Sequence, residues 1–380
     1  MIRLFVTGDN HIGIGNQKFV NVKEKLFETR FSVLEKMVKT ANEEKCDFFV
    51  ITGDLFENNN IAKKHIERVA FILSRFINTV LVLPGNHDFY NEEVSLWQTF
   101  EKSIEKNSQN TIILNELKPY ELEIRDEKAV FYPAYCHDKH SDKNNLEWIK
   151  DIQSDIDKRS YNIGVAHGSI EGFSPDPKNE YYRMSEKELN AIPVDAWLIG
   201  HTHIPYPEIM KDEKEHKDYK IFNVGTHAQT DYSNNTPGYG FLLSMEKNNS
   251  KPLVSAKAIR TGEIRFYDLD VAVKAEDDSI LEKTIKKITK DIEDDSIVRI
   301  NICGCIKHDE YKTRADIYEE CLGRFLSYEI EDEDLSEEIT VEKIRDEYAE
   351  TSFAARFLEE LIDDPKEVAM AYELLQECKE

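Results

Sequence analysis

The chain has 380 residues, 32% of them charged, and a formal net charge of −25 at pH 7, which does not fit a protein that binds nucleic acid through general positive charge. No apolar run approaches the roughly 20 residues that a membrane helix needs, so we expect no membrane span. Met1 leads straight into a strand without a secretory leader, and the six cysteines form no CxxC pair, so we expect a reducing, cytoplasmic setting.

The first third of the chain alternates strands with amphipathic helices. The strands are runs of apolar and β-branched residues that end at glycine, and the helices show apolar residues at helical spacing. In chain order, these strands and helices are predicted at 2–9, 23–45, 47–53, 61–77, 79–84 and 92–106. This β-α-β-α-β order predicts a parallel sheet with right-handed crossovers and helices on its faces.

Shorter strands fill the middle of the chain. Their predicted bounds are 111–117, 120–125, 129–135, 161–166, 196–200, 221–227 and 239–246. We expect the last two, IFNVGTH and YGFLLSME, to pair with each other as antiparallel strands that close the domain. The polar stretch KNNSKP at 247–252 ends in proline and predicts the end of this domain.

Beyond that boundary, the pattern predicts a small α+β domain followed by a helical tail. Its strands and helices are expected at 263–273, 280–292, 297–306, 315–326 and 327–330, and two terminal helical segments at 340–362 and 365–378. The acidic run EIEDEDLSEE at 329–338 is predicted to be a linker. The predicted domains are therefore 1–250, 251–330 and 331–380.

Two features of this C-terminal part bear on its role. Cys303 and Cys305 alternate along a predicted strand, so we expect both to lie on one face in the core. Residues 329–380 carry 19 acidic and 5 basic side chains, so more than half of the net negative charge lies there. Such a tail is typical of a solvated face or of a surface for a partner.

Polar clusters follow five of the predicted strands, each beside a glycine. They are GDNH at 8–11, GD at 53–54, GNHD at 85–88, HG at 167–168 and GHTH at 200–203. Ligands of parallel sheets bind at the carboxyl ends of the strands, and every cluster lies at that end. One such residue alone would be read as a turn or cap residue, but the set together predicts a single site.

The clusters supply seven potential metal ligands. They are Asp9, His11, Asp54, Asn86, His167, His201 and His203. Carboxylate, amide and imidazole groups without thiolates suit manganese, iron or zinc. Seven ligands are too many for one ion and suit two that share a carboxylate. Two ions roughly 3.5–4 Å apart would stabilise the attacking and leaving oxygens of a phosphoryl displacement and acidify the attacking water.

The motifs GDNHIG, GDLFE, LPGNHD, VAHG and GHTH, in this order, resemble those of the calcineurin-like metallophosphoesterase superfamily. Within it they are similar to the SbcD-type DNA repair nucleases, which include a shorter YhaO-like branch. The resemblance covers about residues 1–250 and implies an α/β fold, a metallophosphoesterase β-sandwich core flanked by helices. By their architecture, the small α+β domain and C-terminal helices resemble the capping domain and partner-binding tail of these nucleases.

The resemblance also implies a role for each site residue. The ligands of one ion, expected to be Mn²⁺, would be Asp9, His11 and His203; those of the second would be Asn86, His167 and His201; and Asp54 would bridge the two. His87 would face the scissile phosphate and stabilise or protonate the leaving oxygen. Asp88 would either orient His87 or cap a turn or the next helix. His227 is expected not to be a ligand, because the other positions already fill both sites.

The function that the resemblance implies is a two-metal DNA nuclease for double-strand break repair and end processing. It would be a 3′–5′ exonuclease, and the resemblance leaves open whether it is also an endonuclease. It would form a homodimer, with contacts at the helices 61–77 and 92–106, and bind an SbcC-like coiled-coil ATPase. One alternative is a nucleotide phosphodiesterase or phosphatase with the same site, but the 130 residues after 250 count against it. The other is an inactive scaffold, which should have lost some of the ligands, and none is missing.

Candidate contacts to a DNA backbone follow the first two motifs on loops and helix starts. They are Lys18, Lys23, Asn58, Asn59, Asn60, Lys63 and Lys64. Lysine and asparagine side chains commonly bind phosphate oxygens, although an ordinary charged surface would show the same residues. No aromatic platform for stacked bases can be recognised from the sequence.

Overall fold

The computed structural model describes residues 1–380 except 16, 249–250, 276–278 and 379–380. Contacts divide the chain into two units, Met1–Ile264 and Arg265–Glu380. None of the helices in the described part of the chain combines the length and the apolar character that a membrane crossing requires.

The first unit consists of two sheets with helices on their outer faces. Its strands are β1 (Ile2–Thr7), β2 (Phe48–Ile51), β3 (Thr79–Val82), β4 (Thr111–Ile113), β5 (Tyr120–Ile124), β6 (Glu127–Ala134), β7 (Tyr161–His167), β8 (Ala196–Gly200), β9 (Glu215–Lys217), β10 (Ile221–Asn223), β11 (Tyr239–Asn248) and β12 (Lys251–Arg260). Its α-helices are α1 (Lys23–Glu43), α2 (Lys63–Leu73), α3 (Ser95–Asn107), α4 (Glu147–Asp151) and α5 (Glu186–Ala191). Short 3₁₀ turns lie at Val20–Val22, Gln153–Asp155 and Glu208–Asp212.

The described strands of this unit form a β-sandwich. One sheet has the order β4-β3-β2-β1-β11-β12-β9 and the other the order β10-β8-β7-β6-β5. Strands β1 to β4 run parallel in the first sheet, as do β6, β7, β8 and β10 in the second. The predicted α/β fold, a sandwich core flanked by helices, is therefore confirmed.

Side-chain alternation along the strands explains why both faces of each sheet are covered. Leu4 and Phe48 pack into the core between the two sheets, whereas Phe5 and Phe49 pack against the helices α1 to α3. A third apolar cluster joins β6, β7 and β8 to α4 and α5. Burying one such side chain stabilises the fold by ~1.5–3 kcal/mol, so strands with two covered faces are continuously apolar.

The antiparallel pair expected at 221–227 and 239–246 does not form. β10 pairs in parallel with β8 in the second sheet, whereas β11 pairs antiparallel with β1 and β12 in the first sheet. The two runs therefore lie on opposite sides of the sandwich. Their alternation correctly indicated strands, but a local pattern carries no information about a partner that comes from the other end of the unit.

The boundary expected at 247–252 falls inside a β-hairpin. Asn248 of β11 pairs with Lys251 of β12, and residues 249–250 lie outside the described residues. β12 extends the first sheet, and the first unit continues to Ile264. A polar stretch with a proline occurs between two strands of one sheet as well as between domains, because both kinds of connection expose the backbone to water.

The second unit combines a three-stranded parallel sheet with helices. Its elements are β13 (Arg265–Val273), α6 (Ile280–Ile288), β14 (Ser296–Ile306), α7 (His308–Lys312), α8 (Arg314–Leu322), β15 (Ser327–Glu337), α9 (Val341–Glu347), α10 (Phe353–Glu360) and α11 (Pro365–Glu377). β14 lies between β13 and β15. One apolar cluster joins this sheet to α6 and α8, and a second joins α9, α10 and α11.

The acidic run 329–338, expected to be a linker, lies almost entirely in strand β15. Its backbone pairs with β14, and Leu335 is buried in the apolar cluster of this sheet. β15 is an edge strand of the described sheet, so its carboxylates can stay in water while its apolar residues pack. Sequence composition alone therefore misassigned a strand whose charge protects an exposed edge.

Two further expectations for this unit are wrong. The helix predicted at 340–362 is two helices, because Ser352 caps a new helix by accepting a hydrogen bond from the Ala355 N–H. Cys303 is exposed and Cys305 is half-buried, so neither lies in the core. Helices α6 and α8 pack on the opposite face of β14, which carries Ile300 and Ile302.

Candidate dinuclear metal centre

The five polar clusters meet at one edge of the sandwich, where β1, β2, β3, β7 and β8 end. The loops after β1 and β2 are joined by the Asp9 N–H, which donates to the Gly53 carbonyl at 3.1 Å. The loops after β3 and β8 join them through the Asp54 and Asp9 carboxylates, which accept hydrogen bonds from the His87 N–H at 2.8 Å and the His201 N–H at 2.9 Å. The predicted convergence of strand ends is thus built by hydrogen bonds between the motifs themselves.

Several of the site residues have a left-handed backbone. The φ angles are 47° at Asp9, 45° at His11, 50° at Asp54 and 106° at His201. Each such residue costs of order 1–3 kcal/mol and persists only when its surroundings hold it in place. The loops are therefore shaped by the contacts at the site rather than by local conformational preference.

Glycine permits the close approach of these loops at two positions. Gly53 has a φ of 106°, and a Cβ atom there would lie 2.1 Å from Nδ1 of His167. A Cβ atom at Gly85 would lie 2.2 Å from Oδ1 of Asp54. Any other residue at either position would push apart the side chains that form the site.

The seven predicted ligands lie in two adjoining clusters. Ligand atoms of Asp9, His11 and His203 lie within 4.8 Å of one another, as do those of Asp54, His167 and His201. The Asn86 Oδ1 atom is 2.9 Å from His167 Nε2 and 3.0 Å from His201 Nδ1. The Asp54 Oδ2 atom is 3.3 Å from His167 Nε2 and 3.9 Å from His11 Nε2, which places this carboxylate between the clusters.

This set of donor atoms fits divalent cations. The Nε2 atoms of His11 and His203 face each other at 3.0 Å. Two imidazole nitrogens at this distance attract each other only when a proton or a cation lies between them. The carboxylates of Asp9 and Asp54 are both buried. Buried charges of one sign require a compensating charge, and two divalent ions would supply it.

Electrostatics favour neutral imidazole at two of the ligand positions. Burial lowers the pKa of His201 and of His203 to about 3, so both rings carry a lone pair at neutral pH. Burial raises the pKa of Asp9 to about 6. Burial also opposes ionisation of Asp54, but the charges of His167 and His11 outweigh it and hold the pKa of Asp54 below its usual range.

His167 is oriented by the backbone of the neighbouring sheet. Its Nδ1 atom lies 2.9 Å from the Thr52 carbonyl oxygen, so Nδ1 carries the proton and donates it. The Nε2 atom faces Asn86 and Asp54. Burial would lower the pKa of His167, but the Asp54 and Asp9 carboxylates raise it to about 9, so without metal Nε2 holds a proton, which a bound cation would replace.

His87 lies beside the clusters and belongs to neither of the two ligand groups above. Its side chain is 33% exposed, against 3% for His11. Its ring packs edge-on against His11, with ring centres 4.8 Å apart. The Nδ1 atom lies 2.9 Å from the Glu57 carbonyl oxygen and is thereby the donor, which leaves Nε2 as the nitrogen available to a substrate.

Asp88 does not contact the His87 ring. Its carboxylate accepts hydrogen bonds from the backbone N–H groups of Gly85 at 2.7 Å and Phe56 at 3.0 Å. It therefore caps the turn after β3 and ties it to the loop after β2, as in the turn-cap alternative. Burial raises the pKa of Asp88 to about 7.

Glu57 is a site residue that the sequence interpretation did not single out. Its Oε2 atom is 2.9 Å from His11 Nδ1, and Glu57, His11 and His87 form a third group of potential ligands. Burial would raise its pKa, but the hydrogen bond from His11 and the nearby charges of His11, His87 and Arg30 together outweigh burial and lower it. The signal was present, because Glu57 ends the motif GDLFE three residues after Asp54.

The clusters open into a cleft of about 440 Å³. His11, Glu57, His87, His201 and His203 form its floor, and its walls include Ile14, Pro175, Ile204, Thr230, Asp231, Ser233 and Asn234. None of the described residues that line the cleft is a lysine or an arginine. The site is thus open to solvent.

The remaining predicted positions lie away from this floor. His227 is buried, with Nε2 3.3 Å from the Arg30 carbonyl oxygen, and is in none of the ligand groups found among the described residues. The candidate phosphate contacts are not among the described residues that line the cleft. Asn58 instead accepts a hydrogen bond from the Asn60 N–H, and Lys63 lies 3.8 Å from Glu67 on the helix surface.

A sandwich with outer helices and donor atoms for two ions at its strand ends is the arrangement of a metal-dependent phosphoester hydrolase. The family model named calcineurin-like phosphoesterase matches residues 2–205, more than half of the chain. The chain belongs to the calcineurin-like phosphoesterase family, whose fold implies a dinuclear divalent metal site.

Curated relatives are similar to this chain at low identity. The metallophosphoesterase YhaO of Bacillus subtilis is 25% identical over 187 residues, which cover 46% of this chain and 41% of YhaO. The SbcD component of the SbcCD nuclease of Staphylococcus epidermidis is 23% identical over 223 residues, covering 54% of this chain and 58% of that protein. The SbcD component from Staphylococcus saprophyticus is 24% identical over 262 residues, covering 60% and 68%. The matches thus span from about two fifths to two thirds of the relatives' own length.

Solved structures to which this chain is similar include the calcineurin-like phosphoesterase YfkN from Bacillus subtilis, with a TM-score of 0.42 and 12% identity, covering 68% of this chain and 89% of that one. A dimetal phosphatase from Danio rerio gives a TM-score of 0.44 at 12% identity and covers 68% of this chain and 99% of that one.

Proposed function

We propose that the protein is a two-metal DNA nuclease that processes DNA ends, with Mn²⁺ as its metal. The observation that carries the proposal is the convergence of all seven ligands beside His87, with His11, His201 and His203 lining an open cleft. The similarity to two SbcD components of SbcCD nucleases supports DNA as the substrate rather than a phosphoprotein. On this proposal the reaction is hydrolysis of a phosphodiester, with 3′–5′ exonuclease activity as the main mode.

We assign the ligand roles as the family resemblance implies, and the distances support the assignment. Asp9, His11 and His203 would hold one ion, and Asn86, His167 and His201 would hold the other. Asp54 would contribute to both sites, which its position between the two clusters supports. When bound, the two ions would lower the pKa of an attacking water and neutralise charge that develops on the phosphate.

The chain's own residues perform the remaining steps. The Nδ1–H group of His87 donates a hydrogen bond to the Glu57 carbonyl oxygen, and Nε2 is left facing the cleft. In its protonated form, Nε2 donates a proton to the leaving oxygen, so that the departing strand end leaves as an alcohol. The hydrogen bonds of Asp88 hold the turn that carries His87 at a fixed distance from Asp54.

We also propose how the remaining regions serve this function. The tail helices α10 and α11 expose Phe353, Phe357, Met370 and Leu374 in an acidic segment, and such apolar side chains support docking onto an SbcC-like coiled-coil ATPase. Phe71 of α2 and the nearby Ile77 are exposed apolar residues that support a homodimer. Unpaired cysteines support a cytoplasmic location.

One observation favours a second candidate, a nucleotide or small-molecule phosphodiesterase. DNA-binding surfaces usually supply lysine and arginine to the phosphates, and no described residue of the cleft lining is either. A small substrate that is held mainly by the two ions would not need such residues.

The deciding experiment is a digestion assay with Mn²⁺, on single- and double-stranded DNA labelled at the 5′ or the 3′ end, beside a chromogenic phosphodiester. The nuclease proposal expects shortening of DNA from the 3′ end, in the presence or absence of an ATPase partner. Cleavage of the chromogenic diester without any cleavage of DNA would favour the second candidate. Two bound ions without cleavage of either substrate would indicate a scaffold and contradict both.

A further inference from the structure

We infer that Glu57 is a positioning residue that fixes His11 for metal binding through its carboxylate. The inference rests on the ligand assignment of the proposed function and deepens it. The Glu57 Oε2 atom lies 2.9 Å from Nδ1 of His11, and the opposite nitrogen of this ring, Nε2, lies 3.0 Å from Nε2 of His203 and 3.9 Å from Oδ2 of Asp54. One edge of the ring is thus held by Glu57 while the other is directed into the candidate metal site.

The chemistry of imidazole explains why this contact matters. A neutral imidazole has one N–H donor and one lone pair, on different nitrogens. When the Nδ1 proton is donated to the Glu57 carboxylate, the lone pair must be on Nε2, the atom directed at the metal site. Partners of this kind fix the tautomer and the ring orientation of a metal-binding histidine and raise its basicity.

Glu57 serves its two histidine neighbours through different atoms. Its side-chain carboxylate binds His11, whereas its main-chain carbonyl oxygen accepts the hydrogen bond from His87 Nδ1 at 2.9 Å. The Glu57 Oε1 atom is 3.9 Å from the same His87 nitrogen, too far for a hydrogen bond. A substitution at position 57 therefore removes the contact to His11 and keeps the carbonyl that holds His87.

The two candidate metal sites differ in how a histidine ligand is held. His167 in the second site donates to the main-chain carbonyl of Thr52, which no side-chain substitution removes. His11 in the first site depends on a side chain that is 26% exposed. Loss of the Glu57 carboxylate should therefore weaken one site and leave the other unchanged, an asymmetry that a merely structural role would not produce.

The experiment is a calorimetric titration of Mn²⁺ into metal-free protein, comparing wild type with Glu57→Ala, Glu57→Gln and the control Glu92→Ala, which removes an exposed glutamate from the loop before α3. The wild type and the control should each bind two ions. Glu57→Ala should bind one ion 10–100-fold more weakly and the other with unchanged affinity. Glu57→Gln should lose less affinity at the same site, because the amide oxygen can still accept the His11 hydrogen bond.

Thermal unfolding in EDTA would establish that each variant is folded. If Glu57→Ala does not fold, the Mn²⁺ affinities of Glu57→Gln and the wild type are compared instead. Unchanged affinity at both sites, or an equal loss at both, would overturn the inference. A wild-type protein that binds three ions and a Glu57→Ala variant that binds two would show that Glu57 is itself a ligand, which would also overturn the inference. A wild-type protein that binds fewer than two ions would instead contradict the ligand assignment, and this inference with it.

Discussion

At the scale of single residues, the site separates groups that would hold metal from a group that would handle a proton. Five of the seven proposed ligands are buried and two, His201 and His203, are half-buried, and their nitrogen and oxygen atoms face one another. His87 is partly exposed and held through Nδ1. Asp9 and Asp54 use both their backbone groups and their carboxylates to join the loops. This division of roles gives sharp expectations for individual substitutions.

Replacing His87 with alanine should remove catalysis without removing metal. The ring is in neither of the two ligand clusters of the proposed site, and loss of a general acid lowers turnover by about 10²–10⁴-fold. The measurement is kcat on a DNA or chromogenic diester substrate, together with the number of bound Mn²⁺ ions. His140→Ala, which alters an exposed histidine outside the cleft lining, is the control. Cleavage at the wild-type rate by His87→Ala would show that the assigned role is wrong.

Replacing Asp54 with asparagine should weaken the binding of both ions. The carboxylate lies between the two clusters, and an amide offers one neutral oxygen in place of two charged ones. We expect a loss of at least tenfold in Mn²⁺ affinity, measured by calorimetry, and a corresponding loss of activity. Asp231→Asn, at the wall of the same cleft, should retain both ions. Wild-type affinity in Asp54→Asn would contradict the bridging assignment.

His227 should make the metal-free protein sensitive to acid. Burial holds its pKa well below the usual value of 6.5, so the unfolded state binds a proton below about pH 6.5 that the folded state does not. Stability therefore falls with decreasing pH by up to ~1.4 kcal/mol per unit from this residue. His227→Gln removes this contribution.

Urea unfolding in EDTA at pH 7.5 and pH 5.0 would measure the effect. The acid-induced loss in free energy of unfolding should be about 2 kcal/mol smaller in His227→Gln than in the wild type. An equal loss in both proteins would mean that His227 is protonated in the folded state.

At the scale of elements, strands supply the architecture and the loops after them supply the site. Asp88 shows how two loops are kept in register, since one carboxylate binds backbone N–H groups on both the turn after β3 and the loop after β2. The left-handed residues at the strand ends depend on such contacts. The geometry of the site is therefore a property of neighbouring loops rather than of any one motif.

Asp88→Ala should destabilise the first unit and disturb the site. Two buried backbone N–H groups would lose their acceptor, and each such loss costs ~1–3 kcal/mol. The free energy of unfolding from urea titration would measure the change, and Asp88→Asn, with one acceptor oxygen remaining, should lose less. An exposed position such as Asp142→Ala serves as the control. A stability equal to the wild type would mean that these hydrogen bonds do not form.

At the scale of the whole chain, metal should stabilise the first unit and not the second. All ligand groups found among the described residues belong to Met1–Ile264. A ligand that binds only the folded state stabilises it by ~2.7 kcal/mol at 100 times its dissociation constant. Hydrogen exchange read by mass spectrometry should slow, on adding Mn²⁺, at the loops after β1, β2, β3, β7 and β8.

The same measurement should show little change over 265–380, which makes the second unit an internal control. Asp54→Asn should abolish most of the protection in the first unit. Protection spread evenly over both units, or its absence at the five loops, would contradict a metal site at the strand ends.

How much was predictable depends on the range of the interaction concerned. Continuous apolar runs such as the one in RLFVTGD indicate strands that are buried on both faces. The strands, the helices between them and the α/β class could therefore be predicted from local patterns. The partner of β11 and the packing of β15 did not, because pairing depends on residues distant in the chain. The motif GDLFE contained Glu57, but the hydrogen bond that it accepts from His11 could not be predicted, because the two residues are 46 positions apart and His11 has a left-handed backbone.

The sequence by itself determined the strands, the order of the motifs and the chemical nature of the seven ligands. Those properties are local: hydrophobic periodicity, glycine at the strand end and the type of donor atom. Only the tertiary structure decided which groups share a cluster, that His87 is held by Glu57 rather than by Asp88, and where the first unit ends. Distances of about 3 Å between loops from different strands depend on the packing of two sheets, which no local segment encodes.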